Sequence, residues 1–245
     1  MAIFVAGVAA GVVNAVVGSG TLITFPVLLA VGYPAVIANV SNAVGLVPGL
    51  LAGAIGYRSE LRGQRRLLVM FGAVSFAGGL LGALLLLALP ASAFRAIVPV
   101  FIGLAVALIL VQPYVRRFAA DQARTPSGRA SALILGALLL CGVYGGYFGA
   151  AQGILLLAIL GFAIPHDMQV ANAVKNVLNL ITNLVAATVF VAVADVAWRA
   201  ALLVALGSVV GGAVGARVGR RLRPGALRVL VVAVGTVALV RLAAA

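Results

Sequence analysis

Acidic side chains are nearly missing from this 245-residue chain: four Asp and Glu stand against 17 Lys and Arg, and charged residues make up only 9% of it. A soluble domain of this size carries about a quarter charged residues, so this surface cannot face water on all sides. Cysteine occurs once, at Cys141, which excludes an intrachain disulfide and a cysteine-based metal site; within an apolar run it reads as packing. Histidine also occurs once. His166 stands beside Asp167 at the end of an apolar stretch and reads as a solvated loop residue, because a base needs defined partners. No His-Glu-x-x-His is present, and Gly18-Ser19-Gly20 is preceded by Val17, where Gly-x-Ser-x-Gly needs glycine. These absences argue against an enzyme, a resident metal and any cofactor. No basic residue precedes Arg58, so the N-terminus lacks the positive segment of a cleaved secretory signal.

What is abundant is apolar: 64% of residues are hydrophobic, and they fall in long runs. The formal charge of +13 would suggest nucleic acid in a soluble domain; on this background it reads as arginine in cytoplasmic loops of a membrane protein, with nucleic acid excluded. Apolar stretches cover 2–31, 35–56, 67–89, 96–113, 131–163, 168–194, 200–216 and 229–244. A crossing helix takes about 20 residues, so most suit one crossing, the last two being short. The stretches 2–31 and 131–163 are too long for one helix and are interrupted, at Gly18-Ser19-Gly20-Thr21 and at Gly149-Ala150-Ala151-Gln152-Gly153. Pieces this short fall below the thickness of the hydrocarbon core and predict hairpins that enter the membrane and turn back.

The two interrupted stretches open two copies of a repeat. Gly32-Tyr33-Pro34 answers Gly161-Phe162-Ala163-Ile164-Pro165, and Ala38-Asn39-Val40-Ser41-Asn42 answers Ala171-Asn172-Ala173-Val174-Lys175. The expected organisation is a first transmembrane repeat at 1–113, a polar cytoplasmic linker at 114–130 and a second repeat at 131–245. Three connections are rich in arginine: Arg58, Arg62, Arg65 and Arg66; Arg116, Arg117, Arg124 and Arg129; and Arg217, Arg220, Arg221, Arg223 and Arg228. Placing all three on one side requires an even number of crossings, or none, within 131–163, which a re-entrant hairpin satisfies. The halves then come out inverted, each a re-entrant helical hairpin plus about three transmembrane helices. The expected fold class is all-α, a polytopic membrane protein of two inverted-topology repeats, in which binding sites form where broken helices meet near the midplane.

One formal charge, Lys175, lies well inside an apolar stretch. Burying an ammonium at mid-membrane costs at least a few kcal/mol, roughly 2.5–3.5 on insertion scales, so such a lysine points to a binding site. Satisfaction by backbone carbonyls is the plainer alternative. Asn172, Lys175, Asn176, Asn179 and Asn183 share one helical face, and this stripe of amides around an ammonium suits an oxyanion stripped of water. Asn183, the outermost, reads first as an interhelical contact. The matching helix of the first copy offers Asn39, Ser41 and Asn42, with Asn42 at the place of Lys175. Helices starting after Gly20 and Gly153 would turn backbone N–H groups and positive dipole ends towards the breaks, where Gly18, Ser19, Thr21, Gly149 and Gln152 complete the candidate site. The series Gly45, Gly49, Gly53 and Gly207, Gly211, Gly215, Gly219 read as ridges for close helix packing, and Pro48 as a bend that opens the hydrogen-bond ladder.

These features together resemble the sulfite exporter TauE/SafE family, also called the toluene sulfonate uptake permease family. The likeness rests on Gly18-Ser19-Gly20-Thr21-Leu22-Ile23-Thr24-Phe25-Pro26-Val27-Leu28-Leu29 followed by Gly32-Tyr33-Pro34, on Ala38 to Asn42, on Gly56-Tyr57-Arg58, and on the second copy at Gly149 to Gly153 and Ala171 to Asn183. It covers essentially the whole chain. Thr21, Ala151 and Gln152 depart from glycines that many relatives have. The resemblance implies transport of sulfite, sulfonates, sulfoacetate or similar small anions across a bacterial inner membrane. The expected mechanism is that of a secondary transporter in which Lys175 neutralises substrate charge, the asparagines hold its oxygens and the hairpin tips gate. An anion channel using the same residues is the alternative. Glu60, Asp121, Asp167 and Asp195 all fall at stretch ends or in loops, so no buried carboxylate relay is visible. The expected partners are the oxyanion and the bilayer, with homodimerisation left open.

Overall fold

In the computed structural model the described residues are 1–121, 128–164 and 167–218, with isolated positions between 229 and 237. Side chains are described outside 112–131. Pro165, His166, Gly219, Arg124, Arg220, Arg221, Arg223, Arg228 and more than half of the eighth stretch lie outside them, and of Arg116, Arg117 and Arg129 only the backbone is described. Every regular element among the described residues is helical: α1 (Ala2–Val16), α2 (Thr21–Ala30), α3 (Ala35–Gly56), a 3₁₀ turn at Arg58–Leu61, α4 (Arg65–Ala88), α5 (Ala91–Asp121), α6 (Gly128–Tyr147), α7 (Gln152–Ala163), α8 (Met168–Val193) and α9 (Trp198–Val218).

Among the described residues, five segments are long and apolar enough to cross a membrane: Ala35–Gly56, Arg65–Ala88, Ala91–Val111, Met168–Val193 and Trp198–Arg217. The interrupted stretches each form two helices, broken at the glycines that the sequence singles out. At 1.5 Å per residue, α1, α2 and α7 reach only ~15–23 Å. α6 begins in the polar segment at Gly128, ahead of the apolar stretch expected from 131; its apolar part is Ala132–Tyr147. The linker expected at 114–130 is likewise mostly helical backbone, as α5 runs on to Asp121 and α6 begins at Gly128. Once a helix has been nucleated inside the membrane, adding residues at its end requires no new nucleus.

The packing pattern has an internal exchange. α9 lies against α1 and α3; α4 lies against α6 and α8; α3 and α8 pack on each other. Swapping α1 with α6, α2 with α7, α3 with α8 and α4 with α9 maps these packings onto one another. Each half of the chain therefore sends one long helix among the helices of the other, and the two halves interlock.

Glycine makes that interlocking close. A Cβ on Gly211 would overlap the carbonyl of Val8, and one on Gly207 the carbonyl of Phe4. The same holds on the other side, where Gly82 meets the carbonyl of Val143 and Gly146 that of Gly79. Gly45 and Gly49 of the expected ridge press on α9, whereas Gly53 makes only ordinary contact with Ala15. In lipid there is no hydrophobic drive between helices, so backbone approach and dispersion contacts hold them together. Pro48 sits inside an otherwise continuous α3. One turn earlier, Ser208 Oγ donates to the Gly45 carbonyl at 3.0 Å and ties α9 to α3 there.

Candidate functional site

The two breaks meet. The Gly153 backbone N–H donates to the Gly18 carbonyl at 2.9 Å, and a Cβ at Gly18 would lie 2.5 Å from the Cα of Gly153. Gly18 and Gly149 adopt φ of +83° and +73°, the left-handed backbone that glycine enters without a side-chain clash. At Gly20 the N–H donates to Asn14 Oδ1 at 2.7 Å, which closes the first turn. In the second, Tyr144 OH donates to the Ala150 carbonyl, and Ala151 takes a left-handed φ of 60° at the N-cap of α7. Neither α2 nor α7 has a side-chain cap at its N-terminus. Two of the N–H groups expected to face a ligand there, on Gly20 and Gly153, are instead bonded to protein acceptors.

Lys175 is fully buried on α8. Its Nζ donates to the carbonyls of Asn14 and Ala15 at 3.2 and 3.3 Å, two of the carbonyls that α1 cannot satisfy within its own last turn. Asn172 Nδ2 and Asn176 Nδ2 reach the same Ala15 carbonyl, each at 3.4 Å. The stripe read from the sequence thus ends on the C-terminus of α1, where the negative end of the helix dipole favours a cation. Three donor groups converge on the Ala15 oxygen, which has two lone pairs, so the contacts are long and the cluster is rich in N–H.

The first copy does the same with neutral groups. Asn39 Nδ2 donates to the Tyr147 carbonyl at the end of α6, at 2.9 Å. Asn42, at the place of Lys175, stays within its own half: the Thr24 hydroxyl donates to Asn42 Oδ1, and Asn42 Nδ2 contacts Thr21 Oγ1 at 3.4 Å. Ser41 points elsewhere and accepts from the Ala197 N–H, at 2.9 Å. Asn183 Nδ2 bonds the Asn179 carbonyl and Oδ1 at 3.0 and 3.1 Å, so these two amides serve each other.

Several polar atoms around the breaks are buried without a hydrogen-bond partner: Ser19 Oγ, both amide atoms of Gln152, Asn172 Oδ1 and Tyr147 OH. Gln152 lies against Gly145 of α6, with no room for a Cβ between them. Phe25, Phe94, Phe101, Tyr147 and Phe148 pack around the second break, mostly edge to face or tilted, with Phe101 stacked on Phe148 and Phe25 and Phe148 centroids 5.1 Å apart, and so wall it off. Cys141 is buried, its thiol 3.8 Å from the Gln152 carbonyl.

The chain matches the family described as "Sulfite exporter TauE/SafE" over residues 3–242. It belongs to the TauE/SafE family. Among relatives, it is 29% identical over 185 residues to a "Probable membrane transporter protein" of Haemophilus influenzae, covering 73% of this chain and 70% of that one. It is 27% identical over 192 residues to the "Probable membrane transporter protein YfcA" of Escherichia coli K12, covering 73% and 68%. No solved structure matches. With its apolar helices, this TauE/SafE member is a multi-pass membrane transporter.

Asn14 and Thr24 escaped the sequence reading. Each was a lone polar residue in an apolar run, seven or fewer residues from a glycine break, and that position was the available signal. Tyr147 was masked by its aromatic bulk.

Proposed function

We propose that this transporter carries a small sulfur-containing or organic oxyanion, of the sulfite, sulfonate or sulfoacetate type, across the bacterial inner membrane by alternating access, with its halves inverted in the bilayer. The observation that supports this reading best is the set of buried, unpartnered polar atoms on Ser19, Gln152 and Asn172, gathered where the two breaks touch and beside the Lys175 ammonium. Leaving a buried polar group unsatisfied costs ~1–3 kcal/mol, and several together mark a place for a polar guest. A guest meeting an ammonium and amide N–H groups is best an anion with several oxygens. Lys175, Asn172, Asn176 and Asn179 take its charge and oxygens on α8. Asn39, Asn42 and Thr21 face it from the first copy, and the tips Gly18–Gly20 and Gly149–Gly153 close over it. Because these groups are almost all buried, a substrate reaches them only when the tips part, as a carrier requires.

The test is anion flux into proteoliposomes. Sulfite uptake by the intact protein saturates and supports counterflow, whereas a channel conducts without counterflow. Lys175→Ala, with its fold checked by gel filtration and circular dichroism, abolishes the flux. Undiminished flux in that variant removes Lys175 from the mechanism.

A further inference from the structure

A cavity of about 760 Å³ lies between the Gly56 end of α3 and residues 213–217 of α9, and is lined by Ala52, Ile55, Arg58, Arg62, Ala213 and Arg217, among others; its wall residue Ala216 also packs with Tyr57 and Ala173. Its size is within the range of pockets that hold drug-sized ligands, roughly 300–1,000 Å³. One wall is apolar and belongs to two helices that qualify as membrane spans, ending at Gly56 and Arg217. The other carries three guanidinium groups. The C-terminus of α3 also lies here and contributes about −0.5 charge. Against three arginines that leaves an excess of about +2.5 by the same estimate. Counting Glu60, which accepts from the Ser59 hydroxyl at 2.6 Å, still leaves the site positive. The arginines therefore exceed what the helix end requires.

We propose that this cavity binds the phosphate group of an anionic glycerophospholipid, with the arginines on the phosphodiester and an acyl chain along Ala52, Ile55 and Ala213. Phosphodiester and free phosphate share the chemistry that guanidinium recognises. The apolar wall at the level where spanning helices end favours the lipid, and basic pockets between membrane helices are suited to such head groups.

Native mass spectrometry of the detergent-purified full chain tests this. It is titrated with dioleoylphosphatidylglycerol, with dioleoylphosphatidylcholine, and with phosphatidylglycerol in excess inorganic phosphate. The anionic lipid is retained in preference to phosphatidylcholine, and phosphate does not displace it. The combined variant R58Q/R62Q/R217Q loses the preference, while R95Q keeps it. Should the triple variant not fold, R62Q alone, on an exposed turn, weakens retention about fivefold, the loss expected for one arginine near a lipid surface. Equal retention of the two lipids, displacement by phosphate, or unchanged retention in the arginine variants overturns the proposal.

Discussion

The carbonyl of Gly18 accepts a hydrogen bond from the backbone N–H of Gly153, and so joins the two interrupted stretches of the chain at their turning points. No side chain mediates the contact. Each residue stands where any Cβ would meet the other's backbone, and the two turns abut only because both are glycine. The relationship places the breaks in one shared centre, beneath the α8 stripe that holds the end of α1.

Gly18→Ala therefore carries two penalties. The left-handed backbone at φ +83° costs an alanine ~1–2 kcal/mol, and overpacking against Gly153 adds ~1–3 kcal/mol. The expected loss is about 2–5 kcal/mol, read from thermal or denaturant unfolding in detergent. Gly53→Ala, facing only ordinary contact, is the comparison and changes stability little.

Lys175 has a structural contact and a proposed substrate contact, and the two separate experimentally. Lys175→Met keeps the chain length but removes the donor to the Asn14 and Ala15 carbonyls. Losing a partner of buried backbone oxygens costs ~1–3 kcal/mol, so the melting temperature falls without any ligand. With sulfite at about 100 times its Kd, the intact protein gains ~2.7 kcal/mol by mass action. The variant gains none. A lower midpoint with a preserved sulfite shift would leave Lys175 as a cap of α1 alone.

The turn before α7 makes its own prediction. Ala151 is a non-glycine residue with left-handed φ, a backbone region that glycine enters without a side-chain clash. Replacing it by glycine relieves ~1–2 kcal/mol of backbone strain and gives back a comparable amount in chain entropy and one buried methyl. Ala151→Gly is expected within about 1 kcal/mol of neutral. The neighbouring Ala150, fully buried and outside the left-handed region, has no strain to relieve, and Ala150→Gly costs ~1–2 kcal/mol. Unfolding midpoints of the two variants, measured side by side, check the contrast.

Much of this arrangement was legible because membrane physics writes in long words. Apolar runs near 20 residues became α3, α4, α8 and α9 with little change of boundary, and the glycine clusters at Gly18–Gly20 and Gly149–Gly153 became the two breaks. Lys175, Asn176, Asn179 and Asn183 lie on one buried face with Asn172 partly buried at its start, as the spacing demands. The stripe's immediate contacts were not legible. Hydrophobic period says which face of α8 is inside but not that the end of α1 lies opposite, so the carbonyls that meet Lys175 could not be read. Ser41 shows the same gap: it belongs to the motif around Asn39 and Asn42, yet its position on the helix turns it to Ala197. The crosswise exchange of α4 and α9 rests on glycine faces such as Gly78, Gly79 and Gly82, whose partners lie far along the chain.

The start of α8 gives a final test of how the stripe is held. Asp167 is the N-cap, and its carboxylate oxygen accepts from the N–H groups of Gln169 and Val170 at 2.9 and 3.0 Å. A carboxylate here satisfies two orphan donors and faces the positive end of the helix dipole. Asp167→Ala is expected to cost ~1 kcal/mol, and Asp167→Asn, which keeps the acceptor but not the charge, less. Because the cap is exposed and about two turns from Lys175, both variants should retain sulfite flux once folded. Loss of flux in well-folded Asp167→Asn would instead give the carboxylate a part in transport.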